Sequence, residues 1–307
     1  MRRKNRKKMP KDADLSKSHP KTGKTSVAST RSVAAVKKPH SSASSLPEIA
    51  RKARSGHLLY GHHAVMAALQ NSERRAYHLF LSPQAADQLQ DMQHIPAIAT
   101  IPKVILDRQQ LDQLIQRSPS KAGLSGDIPV HQGFILHCAP LEAVYLDEWL
   151  LHLSEDKSGL RILVLDQVTD PRNIGAIMRS ALALGASAIL MTDRHAPEES
   201  GALAKTAAGA LEKLSIIRVT NLARAMEALR EAGFTLAGLE ASGTHPLEPL
   251  AEAERLGLVL GSEGAGMRRL TREGCDHLCA IAIDPESESL NVSVAASIAL
   301  YATRFKR

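Results

Sequence analysis

The sequence predicts an α/β protein whose C-terminal half is built on a mostly parallel sheet. One indication is the nearly continuous apolar run Arg161–Val168, which has the composition of a strand buried on both faces of a parallel sheet. A second is the alternation of further strand-like runs with helical stretches, which is typical of parallel α/β folds. A third is the content of apolar residues, 44% of 307, which is enough to bury a large core.

The first 55 residues differ in composition from the rest of the chain. They hold 16 of the 39 Lys and Arg residues but 3 of the 32 Asp and Glu residues, so they carry a net charge of +13 and the remainder carries −6. High charge without aromatic residues predicts a disordered basic tail over residues 1–55. Such tails favour contact with a nucleic-acid backbone, and the alternative is a solubilising leader without a specific partner.

Targeting signals and membrane segments are not expected. The opening residues lead into no apolar stretch, and no apolar run reaches the roughly 18 residues that a membrane span needs. A mitochondrial transit peptide is disfavoured because the charge is mostly Lys and because Asp12 and Asp14 come early. Three Cys residues exclude a disulfide scaffold. We therefore expect a cytoplasmic protein with no membrane partner.

A small α/β domain is predicted over residues 56–138. Gly61 allows a turn after the first strand, and Asp107 caps a helix that carries Leu111, Leu114 and Ile115. Residues 118–129 are rich in Ser, Gly and Pro, which indicates a loop. The predicted strands are 57–60, 77–81, 101–105 and 133–138, and a further helix is predicted over 64–69.

No metal site is expected in this domain. His62 and His63 are adjacent, and adjacent side chains point apart on a helix. Residues 139–150 are predicted to form a linker, in which Trp149 packs rather than catalyses.

The second domain is predicted over residues 151–307. Pro171 suits the start of the helix that follows the first strand, Gly185 ends that helix, and Asn221 caps a later one. Cys275 and Cys279 have no second ligand pair, so buried thiols are favoured over a zinc site. The predicted strands are 161–168, 187–191, 215–219, 234–239, 256–260 and 277–283, and the predicted helices are 174–184, 197–208, 221–232, 267–274 and 291–305.

Three polar or Gly-rich motifs follow apolar strands of the second domain. They are Asn173-x-Gly175-x-x-x-Arg179, the loop GSEGAG at 261–266, and SLNVSVAA at 289–296. Open α/β sheets bind ligands at the carboxyl edge, where all three should lie. Taken singly, the Gly cluster could be a tight turn and SLNVSVAA a capped helix start. A nucleotide-dependent oxidoreductase is disfavoured because no dinucleotide fingerprint is present.

In this order and spacing, the motifs resemble the three signature motifs of the SpoU/TrmH family of SPOUT-class RNA 2′-O-ribose methyltransferases. The resemblance covers about residues 57–307 and is closest to the bacterial enzymes of that family that methylate a guanosine ribose in 23S ribosomal RNA. The first domain resembles the family's ribosomal-protein-like RNA-binding domain through LLYGHHAVMAAL and VHQGFIL. The same chemistry on transfer RNA, or a non-catalytic RNA-binding assembly factor, are the alternatives.

Membership of this family implies S-adenosylmethionine as methyl donor, a deep trefoil knot near the carboxyl end, and a homodimer whose active site takes residues from both subunits. The resemblance implies that the backbone at Gly261, Ile281 and Leu290 forms the cofactor pocket. The family's polar motif positions fall on Asn173, Arg179, Glu263, Ser289, Asn291 and Ser293. The candidate catalytic residues are Arg179, Asn173, Glu263, Asn291 and Ser293.

Several roles stay open at this point. Family proposals give proton removal to the motif arginine, here Arg179, whereas a permanently charged guanidinium could instead grip an RNA phosphate. Glu263 could position Arg179 or a backbone amide, or could only hold the Gly-rich turn. Asn291 and Ser293 combine a capping role with a site role. The small residues Ala295, Ala296 and Ala299 could pack at the dimer interface or inside one subunit.

One stretch departs from the family pattern. Relatives carry Ile-Pro-Met and a following Gly before the third motif, whereas residues 281–288 read Ile-Ala-Ile-Asp-Pro-Glu-Ser-Glu. Pro285 stands at the expected Gly and has no N–H to donate. The motif residues on both sides are intact, so we expect the donor still to bind, with reduced affinity at most.

Overall fold

The computed structural model describes residues 47–53, 57–92, 94–116, 128–153, 159–194 and 196–304. Most of the predicted basic tail and most of the predicted loop at 118–129 therefore lie outside the described residues. The described residues all belong to one compact unit. Among them, no helix combines the length and the apolar character that crossing a membrane requires.

The first layer is a four-stranded sheet with helices packed against it. The central strand β4 pairs antiparallel with β1 and β2, and β2 pairs parallel with β3. The strands are β1 His57–Tyr60, β2 Ala76–Leu81, β3 Lys103–Ile105 and β4 Phe134–Cys138, in the order β1-β4-β2-β3. The helices are α1 Glu48–Ala53, α2 His62–Gln70, α3 Pro83–Gln88, α4 Pro96–Thr100 and α5 Arg108–Gln116.

The four predicted strands of this layer are confirmed, although the third is shorter than 101–105 because Ile101 closes α4. The predicted end of the tail at residue 55 is wrong, since α1 lies inside it and buries Ala50 and Ala53. The tail was predicted from the net charge of 55 residues. Such an average does not detect two small apolar residues, Ala50 and Ala53, that lie three positions apart on one face of a short helix. The helices α3 and α4 were not predicted, because their stability comes mainly from packing rather than from a long apolar pattern.

The second layer is a six-stranded sheet in which every neighbouring pair is parallel, as predicted. All residues of the central strand β5 are buried, which explains its unbroken apolar run. The strands are β5 Leu160–Leu165, β6 Ala188–Thr192, β7 Ser215–Val219, β8 Thr235–Leu239, β9 Arg255–Leu260 and β10 His277–Cys279, in the order β10-β8-β9-β5-β6-β7. The helices are α6 Leu146–Leu151, α7 Pro171–Ala183, α8 Gly201–Ala207, α9 Leu222–Glu231, α10 Arg269–Glu273 and α11 Val292–Ala302.

Several boundaries in this half differ from the prediction. The strand predicted over 161–168 is β5 Leu160–Leu165, and the helix predicted over 197–208 is α8 Gly201–Ala207. The strand expected over 277–283 ends at Cys279, and residues 280–290 continue without regular structure. Helix α6 occupies the predicted linker, where its Trp149 lies with its ring centroid 6.2 Å from that of Phe234. Trp149 therefore packs, as expected.

The strand register determines which residues lie next to one another at the carboxyl edge of the sheet. Leu260 of β9 is level with Leu165 of β5 and with Leu239 of β8, and Leu239 is level with Cys279 of β10. The residues that follow these four strands are therefore neighbours. The second and third motifs both begin near this point.

A buried arginine ties the two layers together. Arg74, which precedes β2, donates from Nη2 to Glu212 at 2.6 Å, from Nε to Glu212 at 3.2 Å and from Nη1 to the Ala139 carbonyl at 2.8 Å. It also forms an ion pair with Glu199. Burial lowers the pKa of Arg74, but its bonds to Glu212 and its attraction to Glu199 outweigh that effect and raise the pKa. The guanidinium thus neutralises two carboxylates that are themselves buried.

Replacing Arg74 with Met should therefore lower the free energy of unfolding by about 3–5 kcal/mol, because it leaves two buried carboxylates without a counter-charge. Urea denaturation followed by circular dichroism measures this change. The matched control is Arg75→Met, since Arg75 is exposed and its loss should change stability by less than about 0.5 kcal/mol. Equal stability of the two variants would contradict the assignment of Arg74 as the residue that joins the layers.

Candidate active site

One carboxylate oxygen joins the three predicted motifs. Glu263 Oε1 accepts hydrogen bonds from Asn291 Nδ2 at 2.6 Å, from Asn173 Nδ2 at 3.1 Å and from the Val292 backbone N–H at 3.4 Å. Asn291 Nδ2 also lies 3.1 Å from Asn173 Oδ1. We call Asn173, Glu263, Asn291 and Ser293 the polar junction. The structure thus brings together four of the five candidate catalytic residues.

Two helix starts place the asparagines of the polar junction. Asp170 caps α7 by accepting from the Arg172 N–H at 2.8 Å, and Pro171 occupies the first turn, so Asn173 lies at the amino end of the helix. Asn291 caps α11, where its Oδ1 accepts from the Ser293 N–H at 2.9 Å and from the Ser293 hydroxyl. Two different atoms of the Asn291 side chain therefore make these contacts. Its Oδ1 caps α11, and its Nδ2 donates to Glu263.

The Gly-rich loop holds Glu263 in place. Ser262 and Gly266 exchange backbone hydrogen bonds of 3.1 and 2.9 Å, and Gly264 and Gly266 have φ angles of 81° and 67°. A Cβ atom at Gly261 would lie 2.1 Å from the carbonyl carbon of Gly266, so the loop can close only over a glycine. The segment is a tight turn as well as part of the site.

A buried acid that was not predicted anchors the far side of this loop. Asp166, directly after β5, has no exposed surface. Its Oδ2 accepts from the Arg268 backbone N–H at 2.9 Å, and its Oδ1 accepts from Arg268 Nε at 2.7 Å. The sequence signal was an acid directly after an otherwise apolar strand.

A cavity of about 810 Å³ lies beside the polar junction. All three predicted cofactor-binding residues, Gly261, Ile281 and Leu290, line it, although they come from separate parts of the chain. Its apolar walls include Leu239, Leu260, Cys279, Val292 and Ala295, and its polar lining includes Glu240, Glu263, Arg272, Glu288 and Ser289.

Glu240 is a polar residue of this cavity that was not predicted. It follows β8, and its carboxylate accepts from Ser242 Oγ at 2.7 Å and from Arg272 Nε at 2.6 Å. These two hydrogen bonds lower the pKa of Glu240, so the carboxylate is charged at neutral pH. The cavity wall therefore carries the ion pair between Glu240 and Arg272.

Arg179 does not join the polar junction within its own chain. It follows Asn173 by six residues, which turns its side chain about 120° away around α7. The side chain is exposed and makes no hydrogen bond or ion pair with any residue that the structure describes. The hypothesis that Glu263 positions Arg179 is therefore wrong for a single chain. The alternative was that Glu263 positions a backbone amide, and Glu263 does accept a hydrogen bond from the Val292 N–H.

The apolar residues of α11 are divided between two environments. Ala296 and Ala299 are buried in the core of the subunit, whereas Val294, Ile298 and Tyr301 are exposed to 45%, 38% and 72%. The exposed three recur at four- and three-residue spacing, so they form one stripe.

Metal ligands do not cluster in the part of the chain that the structure describes. Burial raises the pKa of Cys275 to about 12 and also raises that of Cys279, so both side chains are neutral thiols. Neutral thiols are poor metal ligands and poor nucleophiles.

Residues 161–301 match the model of the SpoU rRNA Methylase family, and residues 58–144 match that of the RNA 2'-O ribose methyltransferase substrate binding family. The chain is 36% identical over 245 residues to the 23S rRNA (guanosine-2'-O-)-methyltransferase RlmB of Escherichia coli K12, covering 80% of this chain and 96% of that one. It is 34% identical over 246 residues to an uncharacterized tRNA/rRNA methyltransferase of Synechocystis sp., of which it spans 61%.

Two solved structures share the fold. An AdoMet-bound rRNA methyltransferase from Sinorhizobium meliloti superposes with a TM-score of 0.66 at 19% identity, over 83% of this chain and 94% of that one. The SpoU methyltransferase AviRb from Streptomyces viridochromogenes, in complex with AdoMet, superposes with a TM-score of 0.62 at 23% identity, over 84% and 92% of the two chains.

Proposed function

The chain belongs to the SpoU rRNA methylase family, and on that premise we propose that it transfers a methyl group from S-adenosylmethionine to a guanosine ribose 2′-hydroxyl in 23S ribosomal RNA. The observation that carries the proposal is the polar junction at Glu263. It joins the three motifs next to a cavity lined by Gly261, Ile281 and Leu290.

The cavity fits the proposed donor. Its volume of about 810 Å³ lies within the range of roughly 300–1,000 Å³ that small-molecule sites occupy. The apolar walls suit an adenine ring. When bound, S-adenosylmethionine supplies an electrophilic methyl group on a positively charged sulfur. Two structures with this fold carry AdoMet, which supports the assignment.

The residues of the chain contribute mainly by positioning. Asn173 and Asn291 lie at the starts of two helices and are held to one carboxylate, so their amides keep fixed directions beside the cavity. Alignment of reacting groups can contribute about 7–11 kcal/mol in favourable cases. Glu263 and Ser293 are positioning residues in this account, because each acts by holding an asparagine.

Arg179 is proposed to contact the RNA rather than to take its proton. A guanidinium is permanently charged in proteins, so it cannot readily accept a proton. Its fork can bind a phosphate with two hydrogen bonds and can stabilise the negative charge that develops on the ribose oxygen. Because Arg179 is exposed and apart from the junction of its own chain, we propose that it serves the cavity of a second copy.

A homodimer provides that second copy. The exposed stripe of Val294, Ile298 and Tyr301 on α11 is the surface that we propose to be covered by the partner. Helix α7, which carries Arg179, packs beside α11, and Ser180 and Ser297 are joined by a 2.7 Å hydrogen bond. A two-fold contact of this surface with itself would bury the stripe and bring Arg179 close to the partner.

The departure at 281–288 is consistent with a working cavity. Asp284 Oδ1 accepts from the Glu286 N–H, and the Asp284 carbonyl accepts from the Ser287 N–H, both at 2.9 Å, so Pro285 sits in a closed turn. Ile281, Ile283 and Leu290 still line the cavity on either side. This argues against the alternative of an assembly factor without catalysis.

We propose that the chain comprises a basic tail that ends before α1, an RNA-binding domain at 56–138, a linker at 139–150 and a methyltransferase domain at 151–307. We also propose a trefoil knot, a cytoplasmic location and contact of the tail with RNA. The choice of ribosomal over transfer RNA is supported by the curated relatives that methylate 23S rRNA.

The substrate is tested by incubating the full chain with radiolabelled donor and, separately, with unmodified 23S, 16S and transfer RNAs. We expect label in 23S RNA alone, at one guanosine whose ribose resists alkaline cleavage. Label confined to transfer RNA would support the alternative substrate, and no label in any RNA would contradict the proposed activity.

The shared active site is tested with dimers assembled from two differently tagged variants. Arg179→Lys keeps the positive charge but removes the planar guanidinium that can form two parallel hydrogen bonds with a phosphate. This variant should therefore bind the donor but transfer no methyl group. Gly261→Ala displaces the Gly-rich loop that lines the cavity, because the added Cβ atom conflicts with the Gly266 backbone, so it should bind no donor. Purified mixed dimers should regain about half of the wild-type rate, since each has one complete site of two.

The control is a mixed dimer of wild-type and Arg179→Lys chains, which should show the same half rate. If Arg179 served its own chain, the mixture of Arg179→Lys and Gly261→Ala would be inactive while the control kept its activity. Near-normal turnover by Arg179→Lys alone would remove Arg179 from the site.

A further inference from the structure

One carboxylate in the wall of the cavity makes contacts that the polar junction does not explain. Glu240 directly follows β8 and lines the cavity together with its neighbours Leu239 and Ala241. Its side chain remains 31% exposed although it is paired with Arg272. An acid in this position, directly after a parallel strand and beside a cavity, lies where open α/β sheets hold the polar groups of their ligands.

Hydrogen bonds on both sides hold the backbone of Glu240 in place. Its N–H donates to the Cys279 carbonyl at 2.9 Å, and its carbonyl accepts from the Gly243 N–H at 3.0 Å. A Cβ atom at Gly243 would lie 2.4 Å from the carbonyl carbon of Cys279, so the turn at 240–243 packs directly on β10. The Cα atom of Glu240 therefore has a defined position at the edge of the cavity.

The carboxylate of Glu240 is oriented but not saturated. Its Oε1 accepts from Ser242 Oγ at 2.7 Å, and its Oε2 accepts from Arg272 Nε at 2.6 Å. An ionised carboxylate can accept about four hydrogen bonds. Each oxygen is thus fixed by one donor, from the same turn or from α10, and can accept a further donor from a ligand.

The ion pair selects the kind of ligand group that suits this wall. Arg272 offsets the charge of Glu240, so the wall has no net charge with which to attract a cation. A hydroxyl group suits it better, because an O–H group that donates to a carboxylate forms a short bond about twice as strong as one between neutral groups. Partly exposed ion pairs contribute little to stability, so the fold alone gives weak reason for this arrangement.

The position of Glu240 in the sheet indicates which part of the donor it can reach. Strand β9 lies between β8, which leads to Glu240, and β5, which precedes Asn173. Neighbouring strands are about 5 Å apart, so β8 and β5 are separated by about 10 Å. A donor whose sulfur faces the asparagines therefore presents a more remote group to Glu240. In S-adenosylmethionine the ribose is joined to the sulfur through C5′, and its two hydroxyls lie on the other side of the sugar ring.

We propose that Glu240 accepts hydrogen bonds from the ribose hydroxyls of the methyl donor and makes the cavity specific for a ribonucleoside. The inference rests on the proposed function and deepens it. Ser242 and Arg272 are positioning residues in this account, because each holds one oxygen of the carboxylate. The apolar residues beside Glu240 suit the base that the ribose carries, and Glu240 is the group that distinguishes a ribose from a deoxyribose.

The test is calorimetric titration of the full chain with S-adenosylhomocysteine, the donor without its methyl group, and with its analogue that lacks both ribose hydroxyls. The wild-type chain should bind the analogue about 10- to 100-fold more weakly, because hydrogen bonds to a charged group are lost. In Glu240→Ala the same change of ligand should alter the affinity less than about twofold. Glu240→Gln keeps an acceptor oxygen without the charge, so its loss should lie between these two values.

The matched control is Glu273→Ala, which breaks an exposed ion pair with Arg269 on the helix that carries Arg272 and changes no residue that lines the cavity. This control should keep the wild-type difference between the two ligands. Thermal unfolding of every variant is measured in parallel. A merely structural role of Glu240 would lower the unfolding temperature and weaken both ligands by the same factor, which would leave the difference between them intact.

Equal binding of the two ligands by the wild-type chain would overturn the proposed role of Glu240, as would an undiminished difference in Glu240→Ala. These results are separable from the proposed function. If the wild-type chain methylates RNA but binds both ligands equally, the role of Glu240 fails and the function stands. If the chain distinguishes the ligands through Glu240 but methylates no RNA, the function fails and the role of Glu240 stands.

Discussion

The site depends on the hydrogen bonds that Glu263 accepts from two asparagines and one backbone amide. These bonds hold together the amino ends of α7 and α11 and the Gly-rich loop after β9. The loop is fixed independently on its other side by the buried Asp166, which binds Arg268. One wall of the cavity is therefore held at both ends, which is the pre-organisation that a reaction controlled by alignment requires.

The buried Arg74 also fixes one part of the structure against another, and in its case the parts are the two sheets with their helices. By neutralising Glu199 and Glu212, it fixes the first layer against the segments that flank α8. The exposed surface of α7 and α11 carries both Arg179 and the apolar stripe, and it is the surface that we propose a second copy to cover.

Much of this architecture could be predicted from local sequence patterns. Strand β5 was recognised from its apolar run, and the gathering of the motifs followed from the rule that parallel strands end at one edge. The short helices α1, α3, α4 and α6 could not be predicted, because their burial depends on distant residues. The roles of Glu240 and Arg74 were not predicted for a similar reason. The sequence around a single charged residue does not show which distant residue it pairs with. Arg179 was predicted to be a catalytic residue together with Asn173, but helix geometry turns its side chain away from the polar junction within one chain.

The central claim is that the turns at positions 261, 281 and 290 form the pocket for the methyl donor. The most direct measurement is calorimetric titration of the full chain with S-adenosylhomocysteine, the demethylated form of the donor. We predict one binding site per chain, lost in Gly261→Ala and kept in Arg224→Gln, which changes an exposed arginine of α9 that does not line the cavity. Absence of binding by the wild-type chain at millimolar ligand, or equal binding by Gly261→Ala and Arg224→Gln, would contradict it.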